Sequence, residues 1–194
     1  GRGVVAAFLG EQRLSIDGKR VLDIGCGEGG VLAGLAERYS FHGLGIDYDE
    51  EMVRRAKKIP NCSIVHGDFY SHSFSDKYDF ILIRDALEHC GDPVGMLRKA
   101  ANLLTARGYV YVTYTPFLSP FGGHQHNGTG LLSNVPYLQV LPEALFLKLI
   151  SPSSNLYKRG DHLLRDLRQI RKTWLTTGKV IHAASSAGLS IKMA

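Results

Sequence analysis

Several things are scarce in this chain, and each absence narrows the possibilities. No apolar run approaches the roughly 18 residues that a membrane-spanning helix needs, so no membrane span is expected. Cysteine is sparse: Cys26, Cys62 and Cys90 stand singly, without a C-x-x-C pair. That argues against a disulfide framework and a zinc module, and fits a reducing, cytoplasmic setting. The start, Gly1-Arg2-Gly3-Val4-Val5, has neither an initiator methionine nor a signal-peptide layout, as expected of a processed or partial chain. The formal charge is only +5. Residues 158–179 hold seven basic residues against Asp161 and Asp166, but no aromatics alternate with them. That stretch is a solvated helix face, and nucleic acid is not an expected partner.

What remains is an ordinary globular composition. The 194 residues are 44% hydrophobic and 21% charged, enough for one domain over 1–194 with a sizeable core. Strand-like runs alternate with helical patterns, the signature of a parallel sheet wrapped by helices. Strands are predicted at 20–24, 41–46, 62–66, 78–84 and 108–114, with a further one beginning at 189–193. Helices are predicted at 29–40, 49–58, 92–105, 163–174 and 178–187. Asp49 is the expected N-cap of the second helix, and Pro93 opens the third. Residues 116–136 break this rhythm with three prolines and two histidines. An apolar segment at 137–150 and a turn-rich stretch at 151–160 follow. The whole of about 116–175 is read as a lid or substrate insertion.

The most telling stretch is Val21-Leu22-Asp23-Ile24-Gly25-Cys26-Gly27-Glu28-Gly29-Gly30. A short apolar strand ends in an acid and breaks into glycines at a helix start, which makes a backbone pocket for a nucleotide-like ligand. Gly25, Gly27 and Gly30 satisfy the dinucleotide spacing G-x-G-x-x-G, with Asp47 at a suitable distance. Two ligand classes therefore compete. A dinucleotide needs free N–H groups at the helix start for its pyrophosphate. S-adenosylmethionine carries no phosphate but has an ammonium and a sulfonium, which a carboxylate beside the glycines would suit. Asp23 is that carboxylate.

Four separated motifs in order then give a resemblance to the class I S-adenosylmethionine-dependent methyltransferases, in the small-molecule group, over about residues 18–115. Residues 21–29 resemble the first motif, whose glycines, here Gly25 and Gly27 around Cys26, let the backbone approach the methionine part of the cofactor. Gly45-Ile46-Asp47-Tyr48 resembles the second, in which the acid takes the ribose hydroxyls and the next residue packs on adenine. Met52 is also expected among the cofactor-binding residues. Gly67-Asp68-Phe69 resembles the third, where the aspartate reads the adenine amine. Arg84-Asp85-Ala86-Leu87-Glu88-His89 resembles the fourth, which lines the cofactor near its methyl group. The resemblance implies a Rossmann-like α/β sandwich, a mostly parallel sheet with helices on both faces, and a C-terminal hairpin left incomplete here.

The expected reaction is methyl transfer to a small or medium-sized molecule, most naturally to a hydroxyl oxygen. The alternative is a catalytically silent cofactor-binding subunit supporting a partner. His124, in Phe121-Gly122-Gly123-His124-Gln125-His126, is the candidate base, since histidine removes protons near neutral pH. His89 and Asp85 complete the catalytic candidates. The His-x-His spacing of His124 and His126 has no acid cluster beside it in sequence, so no metal is assigned. Substrate identity and oligomeric state are not legible.

Overall fold

The apolar runs form five strands: β1 (Arg20–Ile24), β2 (His42–Asp47), β3 (Cys62–His66), β4 (Tyr78–Arg84) and β5 (Leu104–Thr113). They form one sheet in the order β3-β2-β1-β4-β5, and every neighbouring pair is parallel. The computed structural model describes residues 3–127, 132–150 and 161–192. Two compact units divide the chain. The first holds Gly1–Ala86 and Met96–Thr113; the second holds Leu87–Gly95 and Tyr114–Ala194.

Strand order follows from burial. In β4 the run Phe80–Ile83 is buried throughout, and in β1 every residue after Arg20 is buried. A strand covered on both faces reads as a continuous apolar run, so these two take the centre. The more exposed β3 and β5 take the edges. Val21, Phe80 and Leu82 lie in one core with Val5, Ala6 and Leu9 of α1 (Val4–Glu11) and Leu32 and Leu35 of α2 (Gly30–Ala36). Each fully buried aliphatic side chain contributes roughly 1.5–3 kcal/mol. The chain runs outward through β2 and β3, then returns to add β4 beside β1. That reversal leaves a crevice at the carboxyl ends of β1 and β4, where open parallel sheets bind ligands.

Helix α3 (Glu50–Arg55) starts at Asp49, whose side chain accepts from the N–H groups of Glu51 and Met52. Helix α4 covers Pro93–Leu103. Helix α1 has no sequence signal because it is apolar nearly all round.

In the second unit, α5 (Glu143–Ile150), α6 (Asp161–Thr173) and α7 (Thr177–Ser186) follow the loop. Phe146, Ile150 and Leu167 form its small core. The turn-rich stretch expected at 151–160 lies outside the described residues. The strand expected from residue 189 does not form over 189–192. Gly188, at φ 75°, instead ends α7 in a left-handed turn, and the Leu189 N–H donates to the Ala184 carbonyl at 3.0 Å. That is a helix stop, which takes the backbone groups a strand would need.

Candidate active site

Asp23 stands near the carboxyl end of β1, in register with Leu82 of β4 and Gly45 of β2. It is only 1% exposed, and its Oδ2 meets no hydrogen-bond partner among the described residues. Burial pushes its pKa up to about 7; the Arg84 guanidinium pulls against that rise and Asp47 adds to it. Keeping an ionised carboxylate out of water costs several kcal/mol unless a positive group joins it. Nothing in the packing of β1 calls for an acid here, whereas a cationic ligand would.

The chain after β1 turns on glycines that it needs. Gly25, Gly27 and Gly29 all have positive φ. The Gly25 and Cys26 N–H groups both donate to the Ile46 carbonyl, at 2.9 and 3.2 Å. A Cβ on Gly25 would come within 2.8 Å of the Ala86 Cβ, while a Cβ on Gly27 would meet nothing within 4 Å. Gly27 therefore presents bare backbone to open space. The Cys26 side chain packs over Gly45, where an added Cβ would lie 2.7 Å from its sulfur. Burial, then Asp23 and Asp47, push the Cys26 thiol pKa up, so it is a neutral packing group.

Asp47 ends β2. Its Oδ2 accepts the Gly27 N–H at 2.7 Å and its Oδ1 accepts the Asp49 N–H at 2.9 Å. A carboxylate has about four acceptor positions, so two stay available for adjacent hydroxyls. Beside it, Tyr48 and Met52 are exposed at 57% and 39%. The Gly67 N–H donates to the Asp47 carbonyl at 2.9 Å and ties the third motif to the second.

The third motif follows β3 directly. Asp68 Oδ1 accepts the Tyr70 N–H at 3.1 Å, closing a local turn. Phe69 is buried; Phe74 lies 5.6 Å from its centroid and the Lys99 ammonium 5.2 Å. Its ring is packed into the first unit, because a large aromatic gains more from burial than from standing in water.

Arg84, its side chain 18% exposed, ends β4 with Nη2 at 3.4 Å from Asp85 Oδ2. Asp85 has φ 51°. Its N–H donates to the Thr113 carbonyl at 2.9 Å, and its Oδ1 accepts the Thr113 hydroxyl at 3.1 Å.

The second unit gathers its own cluster. Glu88, 1% exposed at its side chain, lies with Oε1 at 3.9 Å from His124 Nε2. Its Oε1 also accepts the Thr115 N–H at 2.9 Å. The His89 and His124 rings are 5.1 Å apart. Glu88 was not among the expected site residues, although it stands between Leu87 and His89 in the fourth motif. A glutamate between Leu87 and His89, followed by a proline-initiated helix, was the available signal.

His124 is placed by a buried amide pair. Gln125 Nε2 donates to the Pro120 carbonyl at 2.8 Å and to Gln139 Oε1 at 3.1 Å. Gln139 Nε2 donates to the Phe117 and Ser119 carbonyls at 2.9 and 2.6 Å. Neither glutamine has any exposed surface. His126, by contrast, is exposed.

Comparison with known proteins agrees with this geometry. Residues 21–108 match the family described as methyltransferase domain. The ubiquinone biosynthesis O-methyltransferase of Marinobacter nauticus is 32% identical over 112 residues, 53% of this chain and 47% of the relative. The enzyme of that name from Xanthomonas campestris pv. campestris is 32% identical over 108 residues, 52% of this chain and 45% of the relative. The chain thus spans about half the length of these curated relatives. Among solved structures, the methyltransferase in complex with the Trm112 activator of Haloferax volcanii superposes with a TM-score of 0.53. It is 26% identical, over 59% of this chain and 53% of that one. The plantazolicin methyltransferase BamL shares the fold over 87% of this chain and 53% of its own, with a TM-score of 0.58 at 20% identity. Motif order, sheet order and family match agree: over residues 21–108 this chain is similar to S-adenosylmethionine-dependent methyltransferase domains.

Proposed function

We propose that this chain transfers a methyl group from S-adenosylmethionine to a hydroxyl oxygen of a small or medium-sized molecule. The observation that carries the reading is the buried Asp23 carboxylate, with one oxygen that meets no hydrogen-bond partner among the described residues, beside a glycine loop gripped by Asp47. These residues fit the cofactor. Asp23 offers a charge for its ammonium, Gly27 a surface without a side chain, and Asp47 two acceptor positions for the ribose. Tyr48 and Met52 provide an exposed apolar platform for the adenine. A nicotinamide dinucleotide fits less well, since a buried acid next to a pyrophosphate would repel it.

The cofactor, when bound, supplies a methyl group already activated on a sulfonium. The chain's own work is therefore alignment, exclusion of water and management of a proton. We assign the acceptor's proton to His124, which has the Glu88 carboxylate beside it to stabilise a positive imidazole. Oxygen as acceptor is supported by the two relatives, both named O-methyltransferases. All three cysteines are free thiols, and no helix among the described residues is long and apolar enough to cross a membrane. The reduced cysteines support the cytoplasmic setting that we propose with this activity.

The test pairs calorimetry with S-adenosylhomocysteine and transfer of a labelled methyl group to a panel of hydroxylated small molecules. Saturable binding with label on an acceptor oxygen is expected. Absence of binding would overturn the reading. Binding with no transfer to any acceptor would point to a silent subunit instead.

A further inference from the structure

We propose that Glu88, His89 and His124 form a binding site for one divalent transition-metal ion of the zinc, cobalt or manganese type. The proposal goes beyond the methyl-transfer reading and stands without it.

One ligand atom from each residue lies within 4.8 Å of the other two. The Glu88 Oε1 to His124 Nε2 separation of 3.9 Å is too long for a hydrogen bond. Ligands held ~2.0–2.2 Å from a common cation stand about 3–3.5 Å apart. Closing this cluster on an ion therefore takes shifts of about 1 Å or less, which rotation of two imidazole rings supplies.

Three further features show a built site. Glu88 is 1% exposed and His124 13% exposed at their side chains, so the donors are taken out of water. A cation held there by two imidazoles would meet the charge of the buried carboxylate. The Thr115 N–H on Glu88 Oε1 fixes the carboxylate, as outer-shell donors do for metal ligands. His124 has φ 53°, a left-handed conformation unusual for a residue with a side chain. The Gln125–Gln139 pair holds it there. Strain of this sort persists where surrounding structure over-determines it, and it gathers at ligand clamps.

The donor set selects the ion. Two imidazoles and one carboxylate suit borderline cations, whereas magnesium and calcium favour all-oxygen sites. Three protein ligands leave coordination positions open to a hydroxyl or water, whose proton becomes more acidic on the metal. With an ion bound, the hydroxyl's proton would pass to water; His124 is the base of the metal-free chain.

The whole chain, stripped with a chelator and dialysed, is titrated with Co²⁺ while its visible ligand-field absorption is followed. Zn²⁺ is then added as competitor. One equivalent of saturable Co²⁺, displaced by Zn²⁺, is expected. Glu88→Gln and His124→Ala should each weaken binding by more than the ~10–100-fold that losing an outer-shell partner costs. His182→Ala, at a residue outside the cluster, should bind as the unaltered chain does. Thermal unfolding checks that each variant is folded; His89→Ala, at a partly exposed position, serves if either of the first two is not. Absence of saturable binding, or equal affinity in the folded cluster variants, overturns the proposal. So does a thiolate charge-transfer band, which would move the ion to Cys90. Failure here leaves methyl transfer intact, and failure of methyl transfer leaves a measured metal site standing.

Discussion

The Asp47 carboxylate closes on the Gly27 backbone N–H at 2.7 Å, so the acid that ends β2 holds the glycine loop that follows β1. One residue thus serves the fold and the cofactor. Asp47→Ala leaves two backbone N–H groups without their acceptor and removes the ribose contact. Hydrogen bonds to a charged group are worth ~1.5–3 kcal/mol, so affinity for S-adenosylhomocysteine should fall about 10–100-fold, with a lower Tm. Asp47→Asn should rescue little, because its amide NH₂ would face a backbone donor. Calorimetry and thermal unfolding on both variants check this; unchanged affinity would remove Asp47 from the cofactor site.

Gly27 and Gly25 separate binding from stability. Both have positive φ, but a Cβ on Gly27 meets open space while one on Gly25 runs into Ala86. A left-handed residue with a side chain costs roughly 1–2 kcal/mol. Gly27→Ala should lose only that much stability yet bind S-adenosylhomocysteine at least about tenfold more weakly, since its methyl enters the space the ligand needs. Gly25→Ala should be the less stable of the two in denaturant titration. The reverse ranking would mean that the ligand does not pass over Gly27.

The sheet was legible because its signals are local. Apolar runs bounded by glycine or aspartate located β3 and β4 to the residue, and the Asp49 cap placed α3. The helix expected at 29–40 is shorter in the structure: α2 ends at Ala36. The missing sixth strand shows the same limit, since Leu189 and Ile191 have strand propensity but Gly188 turns the chain into a helix stop. The first-unit site was legible as a list but not as geometry. Nothing in Gly67-Asp68-Phe69 says that the aspartate closes its own turn and that the phenylalanine packs beside Phe74. Glu88 was invisible as a partner of His124 because that pairing joins distant parts of the chain. No acid neighbours His124 or His126 along the sequence.

Asp23 makes the sheet less stable than it would be without the charge, and pH should expose this. Its carboxyl has a folded pKa of about 7 against an ordinary 3.8. Between those values the folded chain holds a proton that the unfolded chain has released, so stability falls as pH rises through that window. Below it the penalty is absent; above it the penalty is complete, bounded at about 4 kcal/mol at ~1.4 kcal/mol per pH unit. Asp23→Asn should therefore raise the Tm of the ligand-free protein at pH 8 and change it little near pH 4. The same variant should bind S-adenosylhomocysteine about 10–100-fold more weakly, having lost the charge that meets the ammonium. A Tm difference independent of pH would mean that the Asp23 carboxyl titrates normally.

The loop that carries His124 tolerates no side chain at Gly122 or Gly123. A Cβ on Gly122 would lie 2.3 Å from the Phe117 and Pro116 carbonyl oxygens, and one on Gly123 would lie 2.2 Å from the Gln139 Cβ. None of these three neighbours can give way cheaply. The first two are backbone, and the third belongs to a buried amide that holds two carbonyls and Gln125. Overpacking of this kind costs ~1–3 kcal/mol, and separating the Gln125–Gln139 pair adds the desolvation of buried amides. Gly123→Ala should thus lower stability by about 2–4 kcal/mol in denaturant titration and, where folded, displace His124. Its first-unit site shares none of these residues, so affinity for S-adenosylhomocysteine should hold within about threefold while methyl transfer falls at least tenfold. A variant with ordinary turnover would show that the position of His124 does not matter to the reaction.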